Sequence, residues 1–368
     1  MKKQAAALFL LPLLLSSCGK ATFAPEDYVQ KLPLFATKDT VNVLQITDLH
    51  WSLGVDVSRQ KDYLSSLFAS SEPDLVVASG DNVMIGNEGT VRSFVATMDE
   101  LAEIHGFSWI TTFGNHDRQG IYEPGFWKRV LASSSHCLYS ELDDDLTGRS
   151  NYVLSLTDAS GTPLWNVVSI DSNSYFQSST LAYSYDIVHE DQVQWYEDVS
   201  SATGDVPNLV YIHIPLYEVE YAFRLAGQKG GTLEDGTGRP GVEAPGILGR
   251  FSGVMHEADV VKNEELGPSR CCVGYEPSRL FSALEAHHGR GVFFGHDHIN
   301  DFIAEYKTSE TGEYVTIGYG LKTGDGLYFE DGMIGGTLST IHRDGSVSYS
   351  RCFQGYEDDS FRKEDLFA

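Results

Sequence analysis

Short apolar runs rich in β-branched residues recur along the chain, and a polar segment follows each of them. The runs lie at residues 41–46, 75–77, 109–113, 209–212 and 292–294. Continuous apolar runs of this length are typical of strands that are buried on both faces of a sheet. Helices are predicted between them at residues 58–70, 88–105, 190–201 and 277–288. This alternation predicts an α/β fold in which helices cover a sheet.

The pattern changes in the last part of the chain. Apolar and polar positions alternate, with turn residues between the segments, at residues 302–306, 314–319, 337–342 and 346–351. Such segments are typical of antiparallel strands. We therefore expect a two-sheet β-sandwich flanked by helices, in one domain over residues 41–355.

Metal-binding side chains stand directly after the apolar runs. They are Asp48, His50, Asp81, Asn115, His213, His296 and His298. The carboxyl ends of neighbouring strands share one edge of an open α/β sheet, so side chains far apart in sequence can converge there. Each would be an ordinary turn residue in isolation. Together, carboxylate, amide and imidazole ligands predict a site for two hard to borderline metal ions.

Three glycines each come directly before one of these ligands. They are Gly80, Gly114 and Gly295. A strand that stops abruptly to present a ligand needs a residue free to adopt unusual φ and ψ angles. We therefore expect these glycines to place the ligands by tight turns.

Five motifs occur in a fixed order: Asp48-Leu49-His50, Gly80-Asp81-Asn82, Gly114-Asn115-His116-Asp117, His213 and Gly295-His296-Asp297-His298. In this order they resemble the signature of the calcineurin-like metallophosphoesterase superfamily, over residues 41–345. A chance match of one motif is common, whereas a match of all five is improbable. The resemblance implies the same sandwich architecture.

Further motifs are similar to one branch of that superfamily, which includes the plant class III purple acid phosphatases and related fungal phosphatases. They lie at residues 213–216, 295–302 and 320–324. Purple members carry a metal-bound tyrosine three positions after the bridging aspartate, whereas this chain has Met84 there. The resemblance to non-purple members implies that His50 takes the place of that tyrosine.

The resemblance also implies which residues hold the metals. A first ion would be bound by Asp48, His50, Asp81 and His298. A second ion would be bound by Asp81, Asn115, His213 and His296. Asp81 bridges the pair, since a carboxylate has two oxygens whereas an amide oxygen or an imidazole binds one metal. The ligand types suit Mn, Fe and Zn alike, so the identity of the metals stays open.

The implied reaction is hydrolysis of phosphomonoesters by a hydroxide shared between the two metals. His116 is the implied general acid, since an imidazole that titrates near neutrality suits proton donation. Asn82, Asn115 and His116 are candidates for substrate binding. Two alternatives stay open: a phosphodiesterase or nucleotide pyrophosphatase, in whose relatives Asp48-Leu49-His50 also occurs, and a surface binding lipoprotein without catalysis.

The composition restricts the partners. The formal charge is −26, from 26 basic and 52 acidic residues. Such a surface excludes a basic stripe for duplex phosphates, so no nucleic-acid duplex is expected as a partner. The expected partner is a small phosphorylated substrate.

The first residues are typical of an export signal. Lys2 and Lys3 precede an apolar segment at residues 5–15, which is too short to span a bilayer as a mature helix. Residues 15–18 resemble a bacterial lipobox, so we expect a signal peptide over 1–17, a lipid on Cys18 and a polar tether over 18–40. The expected location is a bacterial cell-envelope lipoprotein in either membrane. A plain secretory signal is the alternative.

Three smaller expectations complete the sequence picture. A Gly-rich insertion at about residues 227–270 has no periodicity and would be an active-site lid or a solvent-facing loop. Residues 356–368 would be an acidic tail. Export makes disulfides possible in three pairings among Cys137, Cys271, Cys272 and Cys352.

Overall fold

The computed structural model describes most of the chain. The described residues are 23–85, 87–119, 125–142, 144–176, 184–227, 244–255, 272–355 and 360–367. The predicted export signal, its junction at Cys18, Cys271 and most of the Gly-rich insertion lie outside these residues. Within them, no helix is long and apolar enough to cross a membrane.

The described residues contain helices and strands in alternation, then mainly strands. The α-helices are α1 (Val57–Ser71), α2 (Glu88–His105), α3 (Phe126–Leu131), α4 (Glu190–Ala202), α5 (Tyr217–Ala226) and α6 (Leu280–Ala286). The first eight strands are β1 (Val29–Leu32), β2 (Thr40–Ile46), β3 (Leu75–Ser79), β4 (Ser108–Thr112), β5 (Tyr152–Thr157), β6 (Pro163–Ser169), β7 (Tyr175–Phe176) and β8 (Ser184–Tyr185). The others are β9 (Asn208–Tyr211), β10 (Ile247–Ser252), β11 (Gly289–Phe294), β12 (Ile303–Lys307), β13 (Val315–Tyr319), β14 (Gly335–His342), β15 (Val347–Gln354) and β16 (Phe361–Leu366).

Two large sheets form the sandwich. The six-stranded sheet has the order β16-β15-β14-β2-β3-β4, and the eight-stranded sheet has the order β1-β5-β6-β9-β11-β13-β12-β10. Strands β2, β3 and β4 are parallel to one another, as are β6, β9, β11 and β13. The two sheets with helices outside them confirm the predicted fold class.

The strand β2 shows why both faces of a sheet are covered. Val41 and Val43 point into the core between the sheets, which also contains Trp165 and Phe293 of the eight-stranded sheet. The alternate side chain Leu44 points to the opposite face, where it packs with α1, α2 and α3. Side chains of successive strand residues point to opposite faces, so a continuous apolar run fits this central position.

The helices on the six-stranded sheet begin and end where the sequence has capping residues. The Asp56 side chain accepts a hydrogen bond from the backbone N–H of Arg59 at the start of α1, and Asn87 caps α2 in the same way. Gly106 ends α2 in the left-handed conformation that glycine adopts without strain. The helices α4, α5 and α6 pack against the outer face of the eight-stranded sheet.

The folded domain extends beyond the predicted boundaries at both ends. Residues 29–32, assigned to the tether, form β1 and pair in parallel with β5. Residues 361–366, assigned to the acidic tail, form β16 and pair with β15. Both strands lie at sheet edges and carry polar residues instead of the continuous apolar runs by which the central strands were found.

Several internal elements also differ from the expectation. The hairpin of β5 and β6 and the helices α3 and α5 were not predicted. Part of the Gly-rich insertion, residues 247–252, is strand β10 and pairs with β12. Residues 228–243 and 256–270 of the insertion lie outside the described residues, so its role as a lid stays a prediction.

Candidate metal centre

The polar motifs meet at one edge of the sandwich. Asp48, Asp81 and Asn115 follow the parallel strands β2, β3 and β4 of the six-stranded sheet. His213 and His296 follow the parallel strands β9 and β11 of the eight-stranded sheet. Their ligand atoms converge between the two sheets, as expected for the carboxyl ends of parallel strands.

Asp48, His50 and His298 form a first ligand group. The potential ligand atoms of these three residues all lie within 4.8 Å of one another. Nε2 of His50 is 2.9 Å from Nε2 of His298, which is 3.6 Å from Oδ1 of Asp48. Two imidazole nitrogens and a carboxylate oxygen that point to one place form a suitable coordination site for a cation.

Asp81, His213 and His296 form a second ligand group, also within 4.8 Å. Nε2 of His213 is 3.2 Å from Oδ2 of Asp81. Nε2 of His213 and Nε2 of His296 are buried and have no hydrogen-bond partner among the described residues. Buried polar atoms are normally hydrogen-bonded, so these two nitrogens indicate ligands aimed at a common ion.

Asp81 connects the two groups. Its Oδ2 atom is 3.9 Å from Nε2 of His50, a member of the first group, and 3.2 Å from Nε2 of His213 in the second. Its Oδ1 atom accepts a hydrogen bond of 2.7 Å from the backbone N–H of His116. One carboxylate therefore faces both ligand groups.

Asn115 presents its carbonyl oxygen to the site. Its amide nitrogen donates a hydrogen bond of 2.8 Å to the Tyr175 hydroxyl. Its Oδ1 atom is buried and accepts no hydrogen bond from the described residues. The tyrosine thus fixes the amide so that oxygen, the atom able to bind a metal, faces the centre.

Backbone carbonyls fix two of the histidine rings. Nδ1 of His213 is 3.1 Å from the Ser79 carbonyl oxygen, and Nδ1 of His298 is 2.9 Å from the Tyr328 carbonyl oxygen. A carbonyl can only accept, so each Nδ1 donates its proton. Nε2 is then the atom available for a cation. Carbonyl groups that hydrogen-bond the other nitrogen of a metal-binding histidine usually orient the ring in this way.

The two carboxylates stay ionised although they are buried. Burial opposes ionisation, but the charge of His213 outweighs it and holds the pKa of Asp81 well below its usual range. In Asp48 the same competition between burial and nearby histidines also leaves the pKa low. The centre therefore has two buried negative charges, which favours binding of cations.

The histidines respond to the same surroundings in opposite directions. Burial alone would lower the pKa of His213, but Asp81 and Asp48 raise it to about 10. Burial lowers the pKa of His50 and of His296 to about 3. These two rings are neutral at physiological pH, which is the state in which an imidazole binds a metal.

Four candidate ligands have backbone angles that are rare for residues other than glycine. The φ angles are 55° for Asp48, 49° for His50, 49° for Asp81 and 78° for His296. Such conformations cost roughly 1–3 kcal/mol each and concentrate at functional sites. The strain therefore lies on the ligands themselves, at the point where the strands stop.

This finding corrects the expected role of the glycines. Only Gly80 has a positive φ angle, 99°. Gly114 and Gly295 are needed for space instead, because a Cβ atom at Gly114 would collide with Asp81 and one at Gly295 would collide with Asp48. The absent side chains let the ligand loops pack directly on the carboxylates.

His116 lies at the mouth of the centre. Its side chain is 25% exposed, and its Nε2 atom is 3.9 Å from Oδ2 of Asp81. Its Nδ1 atom is 2.9 Å from Oε1 of Gln119. The partly exposed ring therefore lies beside both ligand groups, with Nε2 toward Asp81 and Nδ1 at Gln119.

The side-chain amide of Asn82 is held by residues of β4 and of the loop that follows it. Its side chain is fully buried, and its amide nitrogen donates to Thr111, Thr112 and Asp117. Asp117 in turn accepts hydrogen bonds from the backbone N–H groups of Val83 and Gly114. These contacts brace the turns that carry the ligands, whereas the Asn82 Oδ1 atom is buried without a hydrogen-bond partner among the described residues. The assignment of Asn82 to substrate binding stays a prediction.

Cys272 lies closer to the ligands than its sequence position indicated. Potential ligand atoms of Cys272, His296 and Asp297 all lie within 4.8 Å of one another. Asp297 accepts hydrogen bonds from the Tyr319 hydroxyl and the Cys272 backbone N–H. Burial raises the pKa of Asp297 to about 6.

The disulfide expectation can be examined for three cysteines. Cys137, Cys272 and Cys352 form no disulfide with one another. Cys272 lies beside the metal centre, whereas Cys352 belongs to the core under the helices of the six-stranded sheet. Pairings that involve Cys271 stay a prediction, because that residue lies outside the described part of the chain.

Three residues near the ligands had no assigned role in the sequence. Lys322 is buried, and its Nζ atom donates a hydrogen bond of 2.6 Å to the Asp48 carbonyl oxygen. Burial lowers the pKa of Lys322 to about 8. Tyr175 and Tyr328 support ligands through a hydroxyl and a backbone carbonyl. The only sequence signal among these was the resemblance of residues 320–324 to the phosphatase branch.

Comparison with known proteins gives a family match over most of the domain. The profile of the family described as calcineurin-like phosphoesterase matches residues 41–300. The "Probable inactive purple acid phosphatase 14" of Arabidopsis thaliana is 26% identical over 335 residues, which cover 80% of this chain and 74% of that protein. The "Probable inactive purple acid phosphatase 29" of the same plant is 22% identical over 74% of this chain and 70% of that protein.

Solved structures with similar architecture are more distant. One described as "GAP50 the anchor in the inner membrane complex of Plasmodium" is 12% identical, covers 89% of both chains and has a TM-score of 0.44. The NAD nucleotidase of Haemophilus influenzae is 11% identical, covers 88% of this chain and 53% of its own, and has a TM-score of 0.42.

Proposed function

Because the chain belongs to the calcineurin-like phosphoesterase family, we propose that it hydrolyses phosphomonoesters at a dinuclear metal centre. The observation that carries the proposal is the pair of ligand groups joined by Asp81. The purple-acid-phosphatase-like relatives support the branch predicted from the sequence.

The donor set fits two cations. Asp48, His50, Asp81 and His298 would hold one ion, and Asp81, Asn115, His213 and His296 would hold the other. When bound, two such ions supply Lewis acidity and make a nucleophile available from water at neutral pH. Carboxylate, amide and imidazole suit Mn, Fe or Zn.

The residues around these ligands would position and protonate the substrate. His116 would donate a proton to the leaving oxygen, since its partly exposed ring has Nε2 3.9 Å from Oδ2 of Asp81 and Gln119 holds the opposite nitrogen. The Asn115 amide, oriented by Tyr175, would fix the reacting phosphate relative to His116. Neither role requires a side-chain base to generate the nucleophile.

The experiment measures metal content and turnover together. Protein loaded separately with Mn²⁺, Fe²⁺ or Zn²⁺ is assayed on p-nitrophenyl phosphate and bis-p-nitrophenyl phosphate, before and after chelation. We expect two ions per chain, chelator-sensitive hydrolysis and a preference for the monoester. A preference for the diester would favour the phosphodiesterase alternative.

Asp81→Ala should lose both metals and turnover, because it removes the carboxylate that faces both ligand groups. Asp205→Ala is a matched control, since Asp205 has the same φ angle of 49° and lies before β9, away from the centre. Turnover retained by Asp81→Ala would overturn the proposal.

A second candidate is a metal-binding protein without catalysis. Two relatives carry "inactive" in their names, and that observation favours this candidate. It predicts two bound ions, loss of both in Asp81→Ala, and no hydrolysis of either ester with any of the three metals. The proposed phosphatase predicts hydrolysis by the same loaded sample.

We also propose that the protein is an exported lipoprotein of a bacterial cell envelope, anchored through Cys18. Lys2, Lys3 and the apolar residues 5–15 support an export signal, and residues 15–18 support acylation. Mass spectrometry of the protein from membranes should show a lipid-modified Cys18 at the mature N-terminus. Cys18→Ser should abolish the modification, and a mature chain cleaved elsewhere would contradict the anchor.

A further inference from the structure

Four large apolar side chains are exposed on loops beside the first ligand group. Leu53 is 74% exposed, Ile85 65%, Leu327 45% and Tyr328 51%. Single exposed apolar residues are common on protein surfaces. Leu53 and Ile85 lie on the segments that follow β2 and β3, whereas Leu327 and Tyr328 lie on a segment that contacts His50 and His298. We call these four residues the apolar rim.

Direct contacts bring the rim segments together. The segment with Leu53 and the segment with Ile85 are joined by a bridge between Trp51 and Val83. Leu53 lies two positions after Trp51, and Ile85 lies two positions after Val83. Leu53 and Ile85 therefore lie on adjacent segments, a few positions after the ligands His50 and Asp81 in the sequence.

The other half of the rim packs on the ligands themselves. Gly326 lies so close to His50 that an added Cβ atom would be 2.7 Å from the His50 Cβ. The Tyr328 ring stacks on the His298 ring with a centroid distance of 4.3 Å and an interplanar angle of 27°. Leu327 and Tyr328 are therefore fixed beside the first ligand group.

Two rim residues are held in unfavourable backbone conformations. The φ angle is 46° for Ile85 and 61° for Leu327. A positive φ angle is a genuine outlier for a β-branched residue and uncommon for leucine. Burial of an apolar side chain can offset the energetic cost of a strained backbone, but these two side chains are exposed. The strain therefore indicates a function for the exposed side chains.

We propose that the apolar rim binds the alcohol part of the substrate, so that the site prefers phosphate esters of apolar alcohols. This inference rests on the proposed function, because it places the phosphate at the two ligand groups. A phosphate beside His50 and His298 would place its ester group near Tyr328, which is 51% exposed and stacks on His298. An apolar ester group would cover the rim and remove its surface from water.

The test measures binding of non-hydrolysable phosphonates to the Mn²⁺-loaded protein by calorimetry. Methylphosphonate supplies the reference for metal binding alone, butylphosphonate adds a flexible chain, and phenylphosphonate adds a planar ring. We expect each larger ligand to bind about tenfold more tightly than methylphosphonate. A stronger gain for the phenyl ligand identifies planar alcohols as the class, and a stronger gain for butyl identifies chain alcohols.

Variants separate the rim from the ligands. Leu327→Ser and the double variant Leu53→Ser with Ile85→Ser should each remove much of this gain, while methylphosphonate affinity stays within about twofold. Ile104→Ser is the matched control, because Ile104 is 58% exposed near the end of α2, which runs away from the centre. It should leave all three affinities unchanged.

The outcomes distinguish the two proposals. Equal affinity for the three phosphonates, or a gain that survives both rim variants, overturns the rim proposal even if the protein hydrolyses p-nitrophenyl phosphate. Tighter binding of the apolar ligands that depends on the rim supports it, even if no ester is hydrolysed and the phosphatase proposal fails. Absence of binding by every phosphonate overturns the rim proposal, whereas hydrolysis of p-nitrophenyl phosphate decides the phosphatase proposal separately.

Discussion

The two sheets contribute different chemistry to one site. The six-stranded sheet supplies both carboxylates, the amide and one imidazole, whereas the eight-stranded sheet supplies three imidazoles and no carboxylate ligand. The first ligand group combines Asp48 and His50 with His298, and the second combines Asp81 with His213 and His296. Neither sheet alone completes a group, so the site is a property of the sandwich.

The six-stranded and the eight-stranded sheet are the two halves of the site. The division of the ligands between them gives the largest expected effect. His213→Asn removes a ligand of the eight-stranded sheet from the second group only, so the protein should retain one ion per chain where Asp81→Ala retains none. Turnover should fall by about a thousandfold, because one cation contributes several kcal/mol to the transition state. Metal analysis by mass spectrometry with a turnover assay checks this. Two ions in the variant would contradict the assignment of His213.

His116 tests whether a residue of the six-stranded half acts without holding a metal. His116→Ala should keep both ions and lose about a hundredfold or more in rate, since general acids contribute on that scale. The loss should be greatest for alkyl phosphates, whose leaving groups need protonation. His136→Ala is the control, because its side chain is 26% exposed, close to the 25% of His116. Equal losses on aryl and alkyl esters would rule out the acid.

A buried ion pair joins the two halves below the site. Nη1 of Arg351 in β15 is 3.1 Å from Oδ2 of Asp301, which follows the ligand loop of β11. Both residues are buried, and Asp301 also accepts a hydrogen bond of 2.6 Å from the backbone N–H of Val254. The pair thereby connects the six-stranded sheet to the segment that carries His298.

Removing one partner should cost more than removing an exposed pair. Arg351→Met should lower the free energy of unfolding by about 3 kcal/mol, because it leaves a buried carboxylate without its partner. Arg92→Met should cost less than about 0.5 kcal/mol, because the pair of Arg92 with Glu88 lies on the surface of α2. Urea unfolding of both variants measures the difference. Equal losses would show that the pair does not hold the halves together.

The smallest expected effect concerns the neutral imidazoles, one in each half. Burial lowers the pKa of His50 and of His296 to about 3, so between pH 6.5 and 3 the unfolded chain binds protons that the folded chain does not. The contribution of these two rings to the stability of the metal-free protein should therefore fall as the pH falls through this window, whereas the raised pKa values of Asp117, Asp297 and Glu218 act in the opposite direction. Each histidine contributes a slope of about 1.4 kcal/mol per pH unit.

Denaturant unfolding at pH 6.5, 5.5 and 4.5 after chelation tests that slope. His296→Asn should remove one of the two contributions, while a change at the exposed His288 should leave the slope unchanged. A slope that is the same in His296→Asn and in the parent protein would contradict the neutral state of this ring.

Local sequence determined the central strands and most of the candidate ligands. The run at 41–46 carries apolar side chains on both faces because both faces of β2 are covered in the fold. Asp48 follows this run directly in the sequence, so it could be identified without knowing the position of the strand in the sheet. The capping residue Asn87 likewise marks the start of α2 within the segment itself. These features depend on neighbours a few positions away, which a single sequence displays.

Only the tertiary structure decided what meets those ligands. Tyr175 reaches Asn115, and Cys272 lies beside His296, because separate strands end at one place; no local pattern records such distances. The edge strands β1 and β16 escaped prediction because each pairs on one side and lacks a continuous apolar run. The chain order specified which groups could bind cations, and the packing of two sheets specified which of them stand together.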